Sequence, residues 1–479
     1  MNIGTSANSG TSQKSTDLVR GLSGWAAAAI VVGMMIGTGI FIVPADMARS
    51  AGSVGLVTLA WVVGGALSLF GALAAAELGA AVPEAGGTYA YMNRAYGPKW
   101  GFLFGWTNSI VGAPASIATI AAGLLRFAGF LFPVVAAPLF AWHFKLPFSA
   151  TAYTFTFTWA QPLAVVAILA VSYLNYFGVR VGGQVQVTLT VVKVVAIAAV
   201  IAVGFFFGHG SAQNLHSAAA AIPTAGLQGF LTAMVGALWA YDGWVNVTYV
   251  GSEVRNPERN LPLSLLGGVS LVCAFYIAMS VACFYVLPFS SVVASQRIAS
   301  DVVARATGQG AATWLTIAMM LCALGTLNSS ILTNARVDYA MARDGVFFRF
   351  VRGVDPKYHT PARALLFQAI LASLLALTGT FEDLYSLFIF AAWIFYALQT
   401  AAVIQLRRKE PNLARPYRTW GYPILPLLFV VGALALTINL WNQRRLRSTV
   451  GLALILFGLF FYRYWRKRLP EKPEAASAD

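Results

Sequence analysis

At 479 residues, 58% hydrophobic and 10% charged, with a mean hydropathy of +0.70, this chain is too apolar for a water-soluble fold, where roughly a quarter of residues are charged. Its 32 Lys and Arg against 17 Asp and Glu give a net charge of +15, yet the basic residues sit in connections between apolar runs, which argues against nucleic-acid binding. The three cysteines (Cys273, Cys283 and Cys322) fall inside apolar runs and read as free thiols, with no disulfide framework and no metal spacing.

Residues 1–20 are polar and predict a disordered tail without a cleavable signal. A membrane-spanning helix needs about 20 mostly apolar residues. Runs of that kind follow at 25–47, 54–82, 98–125, 160–178 and 185–207, a first group of five over 21–207. A second five over 208–406 lie at 226–251, 262–287, 312–335, 362–379 and 384–406. Two more, 421–441 and 449–465, occupy 407–469, and 470–479 is a polar tail. The fold class expected is therefore an all-α integral membrane protein of about 12 spans. The third span is rich in small residues (Gly105, Gly112, Ala113, Ala115, Ser116, Ala118), which suits burial among other helices.

Most basic residues fall on one side if both termini are cytoplasmic, whereas the reverse would expose Arg407-Arg408-Lys409 and Arg466-Lys467-Arg468 outside. Arg444, Arg445 and Arg447 stand against the trend. In this orientation 126–160, 208–225 and 288–311 face outside, with a short surface helix expected over 298–304. The Pro-, Gly- and Tyr-rich stretch 82–99 reads as a structured cytoplasmic loop, and 336–363 as a charged connection.

Two spans are broken at mid-depth. Gly37-Thr38-Gly39 interrupts the first, and Trp239-Ala240-Tyr241-Asp242-Gly243 interrupts the sixth. Backbone groups freed inside a bilayer need protein, water or a ligand, so paired breaks mark a transporter's binding site. The glycines allow close backbone approach, and the half-helix after Thr38 directs N–H groups and its positive end at mid-membrane, where a carboxylate fits. Carbonyls left near Ile36 suit an ammonium. The alternative at Gly37 and Gly39 is simple helix packing.

Asp242 is an acid deep in a span, suited to pair with Lys193, hold a substrate amine or carry a proton. Trp239 and Tyr241 read as a lid. Lys193, in the fifth span, requires carbonyls, an acid or a water cavity; it serves as a fixed charge in place of sodium, as a proton carrier, or snorkels. Asn328, with Ser329 and Ser330, is a candidate for the site lining. Glu77 reads equally as paired or functional, and Asp46 with Arg49 as a surface pair or outer-gate element. The four histidines lack zinc spacing, and no nucleophile elbow or phosphate loop is present, so neither an enzyme nor a metal or other cofactor is expected.

Together these residues resemble the amino acid–polyamine–organocation superfamily, and within it the L-type amino acid transporters and their bacterial relatives, from about Gly21 to Trp441. Gly37-Thr38-Gly39-Ile40-Phe41 looks like that family's first-helix carboxylate loop. Pro83 to Tyr89, with Gly101-Phe102 and Gly105-Trp106, matches its first cytoplasmic loop. Trp239 to Trp244 followed by Glu253 and Asn256-Pro257 is similar to its sixth helix, and Asn328 with Ala342-Arg343-Asp344-Gly345 to its eighth. The resemblance implies a five-plus-five inverted repeat with discontinuous helices 1 and 6 and two extra C-terminal helices. It also implies a carboxylate on the Thr38 and Gly39 amides, an amine on the Ile36, Trp239 and Ala240 carbonyls, Trp239 as gate, and Lys193 in place of a sodium ion.

The function expected is sodium-independent, alternating-access transport of small to medium neutral L-amino acids across the plasma membrane, by exchange or with protons. Asp242, where L-type members more often have glycine, keeps a cationic amino acid or polyamine carrier open. A non-cycling amino-acid sensor or channel is the alternative of another class. Partners expected are the substrate and the lipid bilayer. Residues 126–160 lack the cysteine that ties animal members to a heavy chain, so no disulfide-linked subunit is expected; oligomeric state is open.

Overall fold

Apolar run length and capping chemistry set the helices of this computed structural model, which describes residues 18–145, 152–216, 226–295, 297–378, 381–443 and 445–467. Of the expected tails, 1–20 and 470–479, residues 1–17 and all of 470–479 lie outside the described residues. Ser23 accepts the Ala26 N–H (3.2 Å) and starts α1 (Gly24–Met35). After the break, α2 (Val43–Ala51) carries Pro44 in its first turn and stops at Gly52, whose φ of 76° suits glycine. Ser53 caps α3 (Val54–Ala81) by accepting the Leu56 N–H (3.3 Å).

The stretch 82–99, expected as a loop, contains a helix, α4 (Thr88–Tyr96). It is anchored on the sixth span's exit: Gly86 donates to the Tyr249 carbonyl (2.9 Å), and a Cβ on Gly87 would collide with the Thr248 backbone. The third span is longer than expected, as α5 (Pro98–Thr107), a π-helical stretch Asn108–Gly112, and α6 (Ala113–Leu131).

The connection over 126–160 departs from an all-helical reading. It forms an antiparallel ribbon of β1 (Pro138–Lys145) and β2 (Ala152–Thr158), with Phe140 opposite Phe157 and Trp142 opposite Phe155. The alternation Tyr-Thr-Phe-Thr-Phe-Thr over 153–158 is the period-two signal of a strand.

Next come α7 (Ala160–Tyr176), α8 (Val179–Phe207), which begins six residues earlier than expected, and α9 (Leu227–Ala240). The second half of the sixth span is not α-helical: 3-10 turns run over Trp244–Tyr249 and Gly251–Glu253. Then follow α10 (Pro257–Val286), α11 (Phe289–Ala294), α12 (Ile298–Thr307), which is the expected surface helix, and α13 (Gln309–Arg343). The chain ends in α14 (Ala362–Thr378), α15 (Phe381–Lys409), α16 (Ile424–Gln443) and α17 (Arg445–Arg466). Among the described residues eight helical stretches are long and apolar enough to cross a membrane, and α1, α7 and α14 are shorter apolar helices.

The membrane face carrying residue 22, here the N-terminal face, is held by polar ties. Leu22 donates to the Glu253 carbonyl and accepts from Arg255 (both 2.9 Å). The Glu253 carboxylate accepts two bonds from Arg336 (2.6 and 3.0 Å), both side chains being fully buried. Glu77 is paired, accepting from Arg407 (2.8 and 2.7 Å) and the Thr419 N–H (2.6 Å). Tyr89 donates to Asp344 (2.8 Å). Arg94 binds Glu410 (2.7 Å) and holds its carboxyl below the usual carboxylate range, so this tie is lost only as pH falls through that lowered value. On the opposite face Asp46 pairs with Arg49, which also donates to the Val293 carbonyl (2.8 Å) and so ties α2 to α11.

A buried ion pair resists removal of one partner more than replacement of both, because a lone charge keeps its desolvation cost. Arg336→Met or Glu253→Gln alone is expected to cost roughly 3–5 kcal/mol, while Arg336→Met with Glu253→Leu recovers most of it. Thermal unfolding of the three variants in detergent checks this order.

Candidate substrate site

The first break is built by a helix that ends and restarts inside the bundle. The Ile36 N–H closes α1 on the Val32 carbonyl (2.8 Å), and Gly37 donates back to Met35 (2.9 Å). Phe41 and Ile42 return to the Thr38 and Gly39 carbonyls (3.3 and 3.0 Å) in a single 3-10 turn, Gly39–Phe41. The N–H groups of Thr38, Gly39 and Ile40 therefore make no backbone hydrogen bond among the described residues, as the first N–H groups of any helix do not.

At the second break Tyr241 closes α9 on the Ala237 carbonyl (2.9 Å), and Asp242 turns back to Trp239 (3.2 Å). Gly243, at φ 103°, makes the reversal; a Cβ there would lie 2.4 Å from Met34. Close approach also explains Gly39, where a Cβ would stand 3.3 Å from the Trp239 ring. The Tyr276 hydroxyl, from α10, bonds to the Met35 and Ala240 carbonyls (2.6 and 3.2 Å) and so joins both breaks.

Between them lies a cavity of about 70 Å³, counted as the space open to the centres of water molecules. It is lined by Gly37, Thr38, Gly39, Trp239, Ala240 and Asp242, together with Met34, Met35, Ser116, Thr119, Ile120 and Thr326. Asp242 accepts the Tyr396 hydroxyl (2.7 Å). Thr119 presents a buried hydroxyl without a hydrogen-bond partner among the described residues.

Lys193 is fully buried, and its Nζ donates to the Gly33 carbonyl (2.5 Å), the Ile36 carbonyl (2.8 Å) and the Thr326 hydroxyl (2.8 Å). It thus caps the negative end of α1 with a positive charge. A Cβ on Gly33 would strike Gln186 and Thr190, and one on Gly325 would lie 2.7 Å from Lys193 Cε, so both glycines admit α8 and its lysine.

Four sequence candidates sit elsewhere. The Ile36 carbonyl holds Lys193 and Thr326 rather than facing the cavity. Tyr241 points into the core, fully buried, donating to the Trp61 carbonyl (3.2 Å) and packing edge-on to that ring; it is not a lid. Gly243 serves the turn. Asn328 lies in a buried network, accepting from Asn175 (2.8 Å) and donating to Gln186 (2.9 Å), because it faces α7 and α8. Of the three roles open to Asp242, the pair with Lys193 is not formed, each having separate partners, and Lys193 does not snorkel. Ser116, Thr119 and Thr326 were missed as lining residues, since small hydroxyls in a span read as packing.

A mid-membrane cavity between two broken helices of an all-α multi-span bundle defines a membrane transporter. The chain matches the amino acid permease family over residues 22–462 and belongs to it. It is 29% identical over 442 residues to the serine/threonine exchanger SteT of Bacillus subtilis (strain 168), covering 92% of this chain and 95% of that one. It is 31% identical over 453 residues to the human b(0,+)-type amino acid transporter 1 (94% and 87%). To the human large neutral amino acids transporter small subunit 2 it is 32% identical over 460 residues (92% and 80%). The family is one of transporters, not enzymes.

Lys193→Met is expected to destabilise the protein by about 2–3 kcal/mol, the worth of charge-assisted hydrogen bonds left unmade. Lys193→Arg does not restore stability, because the space beside Gly325 is too tight. Melting temperatures of both variants and of Thr326→Val, the milder change, test this.

Proposed function

We propose that this chain is a sodium-independent exchanger of small to medium neutral L-amino acids, alternating access through the broken-helix cavity. The observation that carries this reading is that Thr38 and Gly39, whose N–H groups make no backbone hydrogen bond among the described residues, line one cavity with Trp239 and Ala240 at the carbonyl end of α9. An α-amino acid is complementary to both: its carboxylate meets the positive end of the restarting helix, and its ammonium meets the Trp239 and Ala240 carbonyls. The Ala240 carbonyl has one internal donor, the Tyr276 hydroxyl, and a second lone pair to offer. The cavity is small, and its polar lining of Thr38, Ser116, Thr119 and Thr326 favours an amino acid such as alanine or serine. The Thr119 hydroxyl is free to bond one. Trp239, beside Gly39, serves as the gate.

Lys193 supports sodium independence, since its ammonium already neutralises the carbonyls of α1 that a cation would otherwise meet. We place both termini in the cytoplasm of a plasma-membrane protein, on the distribution of basic residues. The first repeat then spans 21–207, the second 208–406, and 407–469 follows. One relative is named a small subunit; here the absence of cysteine from 126–160 supports transport without a disulfide-linked partner.

A second reading rests on Asp242, whose place in the lining would suit the extra amine of a cationic amino acid or polyamine. The two separate on one variant. Asp242→Asn is expected to leave alanine and serine exchange within about twofold of wild type; abolished arginine uptake with spared alanine uptake would instead establish the cationic reading. Counterflow in proteoliposomes tests cycling itself: internal substrate accelerates uptake of an exchanger, and large flux without that acceleration would reveal a channel. Thr119→Val should weaken serine binding roughly tenfold, about one hydrogen bond's worth, with alanine less affected, as read by ligand-dependent thermal shifts.

A further inference from the structure

A second ionisable group is buried in the bundle, and the substrate site does not use it. Asp338, on α13, is 1% exposed, and neither carboxylate oxygen has a hydrogen-bond partner among the described residues. Its direction follows from its neighbours. Asn334 and Met341 lie at i−4 and i+3 on the same helix face; Asn334 accepts from Asn108 (3.1 Å), and Met341 is touched by Ser109 (3.8 Å). Asp338 therefore faces the π-helical stretch Asn108–Gly112, whose Ser109 hydroxyl is a polar group beside it. Such π turns within α-helices occur often at functional sites.

Among the described residues no charged side chain is paired with it. On its own helix Arg336 is bound to Glu253, and Arg343 lies against Asp344. The α5–α6 stretch has no ionisable residue between Lys99 and Arg126, α1 has none, and α14 has none after Arg363. Lys193 of α8 is held on α1. From α4, Tyr89 is bonded to Asp344, Arg94 to Glu410 and Tyr96 to the Leu398 carbonyl, leaving Tyr91; Tyr249 comes from the adjoining 3-10 turn. Tyr173 and Tyr176 of α7 belong to the connection around Asp355, Arg349 and Arg352 lie beyond the helix end, and Asp301 and Arg305 of α12 lie at the far end of α13.

An uncompensated carboxylate is not stable in such surroundings, so it requires a cation. One carboxylate and one hydroxyl are too few oxygens for a metal ion, which demands several, but suffice for a proton. Asp338 sits about 18 Å along α13 from Thr326, toward the N-terminal face, and about one and a half turns inside the Tyr89–Asp344 tie. Opening of that face would hydrate it.

We propose that Asp338 is a proton-carrying site of the transport cycle, loaded while the N-terminal face is closed and released when that face opens. The step is transfer of a proton from hydronium to the carboxylate, leaving water, on one side, and its return from the carboxyl to water, re-forming hydronium and the carboxylate, on the other. The coupling rests on the transport reading above; the proton itself does not. Wild type, Asp338→Asn and Asp338→Leu are compared in two measurements.

In detergent, the melting temperature of wild type should fall relative to both variants as pH rises from 5 to 8, because only wild type must give up the bound proton. Parallel curves overturn the site whatever the transport result. In proteoliposomes loaded with serine or alanine, a proton gradient directed from the closed N-terminal face's opposite side should accelerate wild-type uptake at least threefold. Asp338→Asn should exchange normally at symmetric pH and lose that acceleration. Acceleration retained in Asp338→Asn, or none in wild type, overturns proton coupling; a requirement for sodium over choline that disappears in Asp338→Asn overturns the proton in favour of a metal cation. Absence of any exchange defeats the transport reading while the melting curves still decide the site.

Discussion

The structure depends on one contact, the Lys193 ammonium against the carbonyl end of α1. A helix that stops in mid-membrane presents carbonyls and half a dipole to surroundings that cannot solvate them. A charge placed there from a neighbouring helix removes that cost, and Thr326 completes the set. Lys193 can arrive only because Gly33 and Gly325 leave no side chain in its way. With α1 terminated, Thr38 to Ile40 are free to present their N–H groups, and the cavity exists.

The second break is secured differently. No charge caps α9; Tyr276 bonds to one carbonyl from each broken helix, and the glycine reversal at 243 locks against Met34. The two halves of the site are thus joined through α10. Conformational change of the cavity then requires either that Tyr276 release one carbonyl or that α1 and α9 move together. The ties across the N-terminal face, above all the buried Arg336–Glu253 pair, connect the exit of the sixth span to α13. They set the barrier that any opening on that side has to cross.

Membership of the amino acid permease family accounts for the bundle and for the broken helices, and the cavity between them is lined by a few polar side chains. Those polar groups include the Thr119 hydroxyl, without a partner among the described residues, and the Asp242 carboxylate, which accepts from Tyr396. Relatives named as a serine/threonine exchanger and as large neutral amino acid carriers show that this architecture serves different side chains.

Run length, small-residue composition and paired interruptions in the sequence were enough to determine a multi-span helical bundle with two broken helices, because a bilayer permits few other solutions for apolar backbone. They also placed Gly37, Thr38, Gly39, Trp239, Ala240 and Asp242 together, since local backbone freedom is written in glycines and in polar residues out of register. Tertiary structure alone decided what those breaks bond to. Tyr241 and Asp242 are neighbours in the chain, yet one turns to Trp61 and the other to the cavity. Asn328 and Thr326 share a helix, but only Thr326 faces α1, while Asn328 faces α7 and α8. Asp338 falls in the stretch 336–363 expected as a charged connection, but α13 continues to Arg343 and buries it, because helix length there is set by packing and not by apolar run length. Which face of a buried helix meets which neighbour depends on helix rotation and packing between residues more than a hundred positions apart, and apolar sequence on every side leaves that rotation unmarked.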